Sequence, residues 1–270
     1  SFVPHLSRAR GSSAQTTRKH HDQGQDPMGE GVVMQQEMTG ETRRLVVVDA
    51  FFGAVFAHLE RWRPELEAQL AARLAVGPLS GAQLSELVED EANRLLQDEA
   101  LPLYGAGFCA SDAIVTSGSP LSWWQGPDRT PLVASTFGVG QGAIDLRRLE
   151  WYRVPEATGQ RHVAGPFVDY LCSNEITMTS AVPLTLDGAF AGVICADVLV
   201  ATLERELLPQ LGAGATLLSS AGRVIVSADP SFETGDLFTE IDIAAGERVL
   251  AGARVETSPD SSFVIIAPAE

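Results

Sequence analysis

Lysine is almost missing from this chain: of its nineteen basic side chains only Lys19 is a lysine, and the rest are arginines. That skew reflects codon usage and carries no function. Histidine is equally thin, with only His58 and His162 beyond the first forty residues, so imidazole-dependent acid–base or nucleophilic catalysis has little to run on. The three cysteines, Cys109, Cys172 and Cys195, are odd in number and far apart. They exclude a disulfide framework and a Cys-x-x-Cys metal site; reduced, partly buried thiols in a cytoplasmic protein are the expectation. No Walker loop, H-E-x-x-H pair, zinc spacing or G-x-S-x-G elbow occurs.

Long apolar runs are missing as well. The longest, residues 45–57, contains Asp49 and falls short of the roughly 20 residues that a membrane-spanning helix needs. Residues 1–40 hold no apolar core followed by a small-residue cleavage site, so no secretory signal is read there. Met28 is a candidate native start, which would place His20 and His21 outside the protein. The net charge of −16 lies entirely after residue 40, because the first forty residues carry four basic and four acidic side chains. An acidic body of this kind weighs against a nucleic-acid partner.

What is present is a globular composition, 45% apolar over 270 residues, enough for a core. Residues 1–40 are rich in Ser, Gln, Thr, His and Gly without apolar period, and read as a disordered tail. From residue 41 the spacing turns helical, with Phe52, Val55, Phe56, Leu59, Trp62, Leu66, Leu70 and Leu74 on one face. Pro64 predicts a break or kink into two collinear segments. Ser80 and Gln83 form a capping box for a second helix, with Leu79 and Leu84 placed as a hydrophobic staple. The long first helix serves either core packing or a homodimer seam.

Strand signals follow at 104–111, 113–117 and 121–125. An irregular stretch at 126–142 and a charged helical turn at 145–152 lead into strands at 163–171, 176–186 and 190–199. These last three form an antiparallel meander whose final hairpin turns on Asp187-Gly188. A short helix at 201–211, a hairpin at 215–228 and strands at 249–255 and 263–267 complete the chain. They make up either an extension of the first sheet or a small second module. Gly138, Gly140 and Ala143 fit a G-x-G-x-x-A pattern, but no βαβ unit surrounds it, so a dinucleotide loop is not read there.

The chemistry concentrates between Trp151 and Asp197. Asp169 and Asp197 lie in otherwise apolar strands; by alternation Phe167 shares a face with Asp169, and Val193 and Cys195 share one with Asp197. Buried carboxylates need a cation, donors or a wet cavity. Two of them aimed at one cavity repel each other, and a bound ammonium relieves that repulsion through charge-assisted hydrogen bonds. Trp123, Trp124, Trp151 and Tyr152 are candidates for the walls of such a site.

This order of motifs, Trp151-Tyr152, Gly165-Pro166-Phe167-Val168-Asp169, Ile176-Thr177 to Val182-Pro183, Asp187-Gly188 and Gly192-Val193-Ile194-Cys195-Ala196-Asp197, resembles the Cache (PDC, extended PAS-like) sensory domains, over residues 44–268. The resemblance implies an α+β fold, with long N-terminal helices packed on a PAS-like antiparallel sheet and a smaller second α/β module in a double-Cache-like arrangement. It divides the chain into a tail at 1–40, a helical segment with a ligand-binding Cache module at 41–200, and a reduced second module or sheet extension at 201–270. It implies ligand binding without catalysis, and no cofactor. In amino-acid-binding members an Arg two positions before the Trp-Tyr pair receives the ligand carboxylate, and acidic residues in the two later strands receive its ammonium. Here Leu149 stands at the Arg position, Phe167 replaces a Tyr, and Asp169 and Asp197 keep the acidic positions. The implied ligand site is Trp124, Trp151, Tyr152, Phe167, Asp169, Cys195 and Asp197, and the implied ligand is an amine or an amino-acid-like metabolite. Binding is then read out by a separate signalling partner. Three rival readings remain: a carboxylate binder in which Arg147, Arg148 or Arg153 replaces the missing Arg, an enzyme using Asp169 and Asp197 as an acid–base pair, and a structural dimeric scaffold.

Overall fold

A 35-residue helix, α1 (Gly40–Leu74), begins the structure, a computed structural model that describes residues 40–132, 145–170, 173–238, 253–260 and 262–268. The expected tail up to residue 39, the G-x-G-x-x-A pattern and Cys172 lie outside the described residues. In α1, Phe52, Val55, Phe56, Leu59, Trp62, Leu66 and Leu70 are buried, and Leu74 packs against the same core. The expected break at Pro64 does not occur, and the helix runs through it. Pro64 is exposed, so water can serve the Glu60 carbonyl that loses its amide partner.

A two-residue strand, β1 (Leu79–Ser80), leads into α2 (Gly81–Gln97). The capping box forms as the sequence predicts: the Gln83 amide donates to Ser80 Oγ at 3.3 Å, and the Ser80 amide donates to Gln83 Oε1 at 3.0 Å. Then come β2 (Gly105–Ala110), β3 (Val115–Ser117), β4 (Leu121–Gln125) and β5 (Thr130–Pro131). The expected charged turn is a 3-10 turn at Leu146–Arg148 followed by a helix, α3 (Glu150–Thr158), which extends six residues past the predicted end and stops at Gly159 with φ 66°. The meander is β6 (His162–Val168), β7 (Ile176–Leu186) and β8 (Ala189–Leu199). Asp187 and Gly188, at φ 50° and 79°, give the two-residue hairpin turn whose twist matches the flanking strands.

The main sheet runs β5-β4-β2-β8-β7-β6 and is antiparallel throughout. Its two faces are separated by the period of two. Ile194, Ala196 and Val198 of β8 join α1 and α2 in the large core, while Val193 and Cys195 belong to a second cluster with Trp151 and Tyr152 of α3. The sheet is therefore covered on both sides, by the long helices on one and by α3 on the other.

After α4 (Val200–Glu206) and α5 (Leu208–Leu211), β9 (Thr216–Ser219), β10 (Val224–Ser227), β11 (Ala253–Thr257) and β12 (Phe263–Pro268) form a sheet of their own, ordered β10-β9-β12-β11. It is a separate sheet, not an extension of the first. One α1 helix serves both sheets: Phe52 stacks on Phe263 with ring centroids 4.6 Å apart, and Arg44 pairs with Glu256 at 3.2 Å.

The junction of β2 and β8 tolerates no side chain at Gly192. Its φ is +148°, and a Cβ there would meet the Cys109 carbonyl, the Phe108 ring at 2.6 Å and Ala110 Cα at 2.9 Å. Backbone cannot step aside as a rotamer can. Gly192→Ala is expected to lose about 1–3 kcal/mol of stability, measured by urea unfolding; a change within 0.5 kcal/mol, about the size of a neutral surface change, would show that the two strands can part there.

Candidate ligand-binding pocket

The pocket is built on the face of the sheet that α3 covers. Successive rows across the strands are fixed by register: Trp123, Gly107, Cys195 and Ala181 form one row, and Gln125, Gly105, Asp197 and Thr179 form the next. Asp197 and Thr179 are thus direct cross-strand neighbours. The Thr179 hydroxyl donates to Asp197 Oδ1 at 2.6 Å. On β6 the register shifts between Ala164 and Phe167. Residues three apart ordinarily face opposite sides of a strand; the irregularity lets Ala164 and Phe167 both join the α3-side cluster. Asp169 follows in a turn, its amide donating to the Glu175 carbonyl at 2.9 Å and its carbonyl accepting from the Asn174 amide at 2.8 Å.

Trp151, Phe167, Asp169, Cys195 and Asp197 converge on one cavity with Cys109, Leu121, Trp123 and Thr179. Its empty space, counting the open mouth, is about 390 Å³. Asp169, Thr179 and Asp197 make a polar end, and the remaining lining is apolar, aromatic or thiol. Among the described residues no basic side chain lines it. Arg147 is exposed and engaged by Asp145 at 2.8 Å and Asp112 at 2.5 Å. Arg148 and Arg153 are exposed, and Leu149 starts α3 and packs on the pocket cluster. Among the described residues, no group of three or more His, Cys, Asp and Glu is arranged to hold a metal ion.

Burial dominates the electrostatics. Asp197 is only 6% exposed; desolvation, reinforced by the charge of Asp169 and opposed by the Thr179 hydrogen bond, pushes its carboxyl up to about 8. Burial also pushes both free thiols, Cys109 and Cys195, above their ordinary range. They line the cavity as protonated, weakly polar groups.

Neither a family model nor a curated protein sequence matches the chain, but solved structures do. The extracellular domain of a histidine kinase superposes with a TM-score of 0.56 at 16% identity, covering 88% of this chain and 95% of that one. The ligand-binding domain of a Pseudomonas fluorescens chemoreceptor, in complex with L-valine, gives 0.55 at 16% identity over 86% and 95%. That of a Pseudomonas aeruginosa amino-acid chemoreceptor, in complex with GABA, gives 0.50 at 17% over 86% and 99%. The chain shares the Cache fold of these domains. Of these neighbours, the kinase domain is described as extracellular.

Within this Cache fold the expected site is redistributed in two places. Trp124 is a correction: it alternates onto the opposite face of β4 and packs with α1 and α2 in the large core, 3% exposed. Its neighbour Trp123 takes the cavity wall. Tyr152 stands behind the wall instead of on it, 1% exposed and edge-on to both Trp151 and Phe190. Cys109, Leu121 and Thr179 were not anticipated. The Asp187-Gly188 turn alone would set residue 178 opposite residue 197; the register irregularity between Leu184 and Thr185 moves the ladder by one and brings Thr179 there instead.

The raised carboxyl of Asp197 has a signed consequence for stability. In the folded protein Asp197 holds its proton up to about pH 8, whereas an unfolded Asp releases it near pH 3.9. Between those values the folded state binds the extra proton, so the Asp197 contribution to stability falls as pH rises from about 4 to 8. Asp197→Asn is therefore expected to gain stability relative to the parent across that window, by on the order of a few kcal/mol at its upper end. Denaturation curves of both proteins at pH 4.5, 6 and 8 measure it; a constant difference would mean that Asp197 is ionised throughout.

Proposed function

We propose that this Cache-fold chain is a sensory module that binds a small amine-bearing metabolite in the cavity between Asp169 and Asp197, without converting it, and signals through a separate partner. The observation that carries this reading is the pairing of two buried carboxyl groups in one small cavity that, among the described residues, has no basic lining. A cation is the occupant that such a lining fits. An ammonium next to Asp197 offsets the repulsion from Asp169 and restores the hydrogen bonds lost on burial.

Two structural neighbours support the ammonium half of this assignment. Each is a chemoreceptor ligand-binding domain in complex with an amino-group compound, L-valine in one and GABA in the other. Both compounds also carry a carboxylate. Here Leu149 stands at the position where the resemblance implies an Arg, and the three nearby arginines are exposed and absent from the cavity lining. The proposed ligand is therefore set apart by its ammonium, and a carboxylate adds nothing to its recognition.

A thermal-shift screen of paired amines and carboxylic acids tests the proposal. Amines are expected to stabilise the protein saturably, by about 2.7 kcal/mol at 100 times the dissociation constant, while matched acids do not. Because binding an ammonium requires the ionised form of Asp197, amine affinity is expected to rise with pH up to about 8, with release of a proton. Asp197→Asn should weaken amine binding by about 2–5 kcal/mol without unfolding the protein. Preferential stabilisation by dicarboxylates, or enzyme-like turnover of the bound amine, would overturn the reading.

A further inference from the structure

The amine reading leaves open which aromatic ring, if any, faces the cation. The glycines of β2 answer it. Trp123 starts one row away from Asp197, opposite Gly107, while Gly105 is the residue directly opposite Asp197. Yet the indole leans across to that row: a Cβ on Gly105 would stand 2.5 Å from Trp123 Cζ2, 2.9 Å from Cε2 and 3.0 Å from Nε1. A Cβ on Gly107 would likewise stand 2.9 Å from Cε3 and collide with the Ser122 carbonyl. The ring thus lies over two positions that carry no side chain. Its N–H donates to Gln125 Oε1 at 3.2 Å, on the row of Gly105, which holds the lean in place.

The indole therefore occupies the place that a side chain at residue 105 would take, one strand away from Asp197. Directly opposed side chains start about 4.5–5.5 Å apart. An ammonium held by Asp197 at a charge-assisted distance of about 2.7–2.9 Å then falls within the roughly 6 Å of a ring centroid at which a cation is attracted to an indole face. Trp124 is on the other side of the sheet, and Tyr152 is behind the wall. Trp151 comes from α3, outside this strand register.

We propose that Trp123, seated on Gly105 and Gly107, is the cation-facing wall of the pocket, and that with Asp197 it selects ammonium head groups, including N-methylated ones. This inference rests on the amine reading above and deepens it. Asp197 takes one N–H, and the indole accepts either the remaining N–H groups or the methyls that replace them, since the positive charge spreads over both.

The probes are butylamine, N-methylbutylamine and the neutral butan-1-ol, titrated calorimetrically into the parent, Trp123→Leu, Gly105→Ala and Asp197→Asn. In the parent, the two amines should bind with affinities within about threefold of each other, should change the near-ultraviolet circular dichroism of the indoles, and the alcohol should give no heat. Trp123→Leu should weaken both amines by about 2- to 30-fold, the methylated one more. Gly105→Ala, which keeps the indole but displaces it, should weaken them in the same sense and remains informative if Trp123→Leu does not fold. Amine affinities within twofold of the parent in both Trp123→Leu and Gly105→Ala, alongside loss of binding in Asp197→Asn, would refute the role of Trp123 and leave the amine reading standing. No heat and no dichroic change with butylamine in the parent would remove both.

Discussion

The pocket depends on one carboxyl group carried out of water on an apolar strand. Asp197 stands on β8 among Val193, Cys195 and Ala196, 6% exposed, and its burial alone makes the charged form costly. The surrounding structure answers that cost only in part. Thr179 supplies one short hydrogen bond from the neighbouring strand, while Asp169 adds a like charge on the same cavity.

The sheet that carries Asp197 is stiffened from behind. α1 and α2 fill the opposite face, so that Ile194, Ala196 and Val198, which alternate with the pocket residues of β8, are locked in the large core. Side chains packed at crystal-like density hold the strand in position, and β2 and β7 fix it laterally through an unbroken ladder beside Asp197. α1 continues past this sheet to the second one, where Phe52 meets Phe263. A single helix is thereby shared by the pocket-bearing sheet and the C-terminal sheet.

The pocket differs from what the resemblance implies for amino-acid-binding members at the carboxylate-receiving position. Leu149 offers no charge there, and its side chain contributes to the apolar cluster around Trp151 and Tyr152. Arg147 is held outside by Asp112 and Asp145. The fold is shared at 16–17% identity, a level at which the scaffold persists while the side chains that meet a ligand are free to change.

The sequence by itself determined the elements whose signals are local. The capping box at Ser80, the Asp187-Gly188 hairpin, the helical stripe from Phe52 to Leu70 and the strands at 176–186 and 121–125 each express a preference of a few neighbouring residues, and each appears where that preference puts it. The placement of Asp169 and Asp197 on one cavity followed from the resemblance; strand alternation accounts for Asp197, whereas Asp169, expected within a strand, stands past the end of β6 in a turn. Tertiary structure decided what depends on parity and on partners far along the chain. Which of the adjacent Trp123 and Trp124 faces the pocket is set by the pairing of β4 with β2, not by either residue's own chemistry. Helix α1 survives Pro64 because that turn faces solvent, and α3 extends past Tyr152 because its apolar side is covered by the sheet. Gly105 and Gly107 look like ordinary strand-weakening glycines until a tryptophan from the neighbouring strand is laid across them; no local pattern announces that, since the ring and its seat are brought together only by folding.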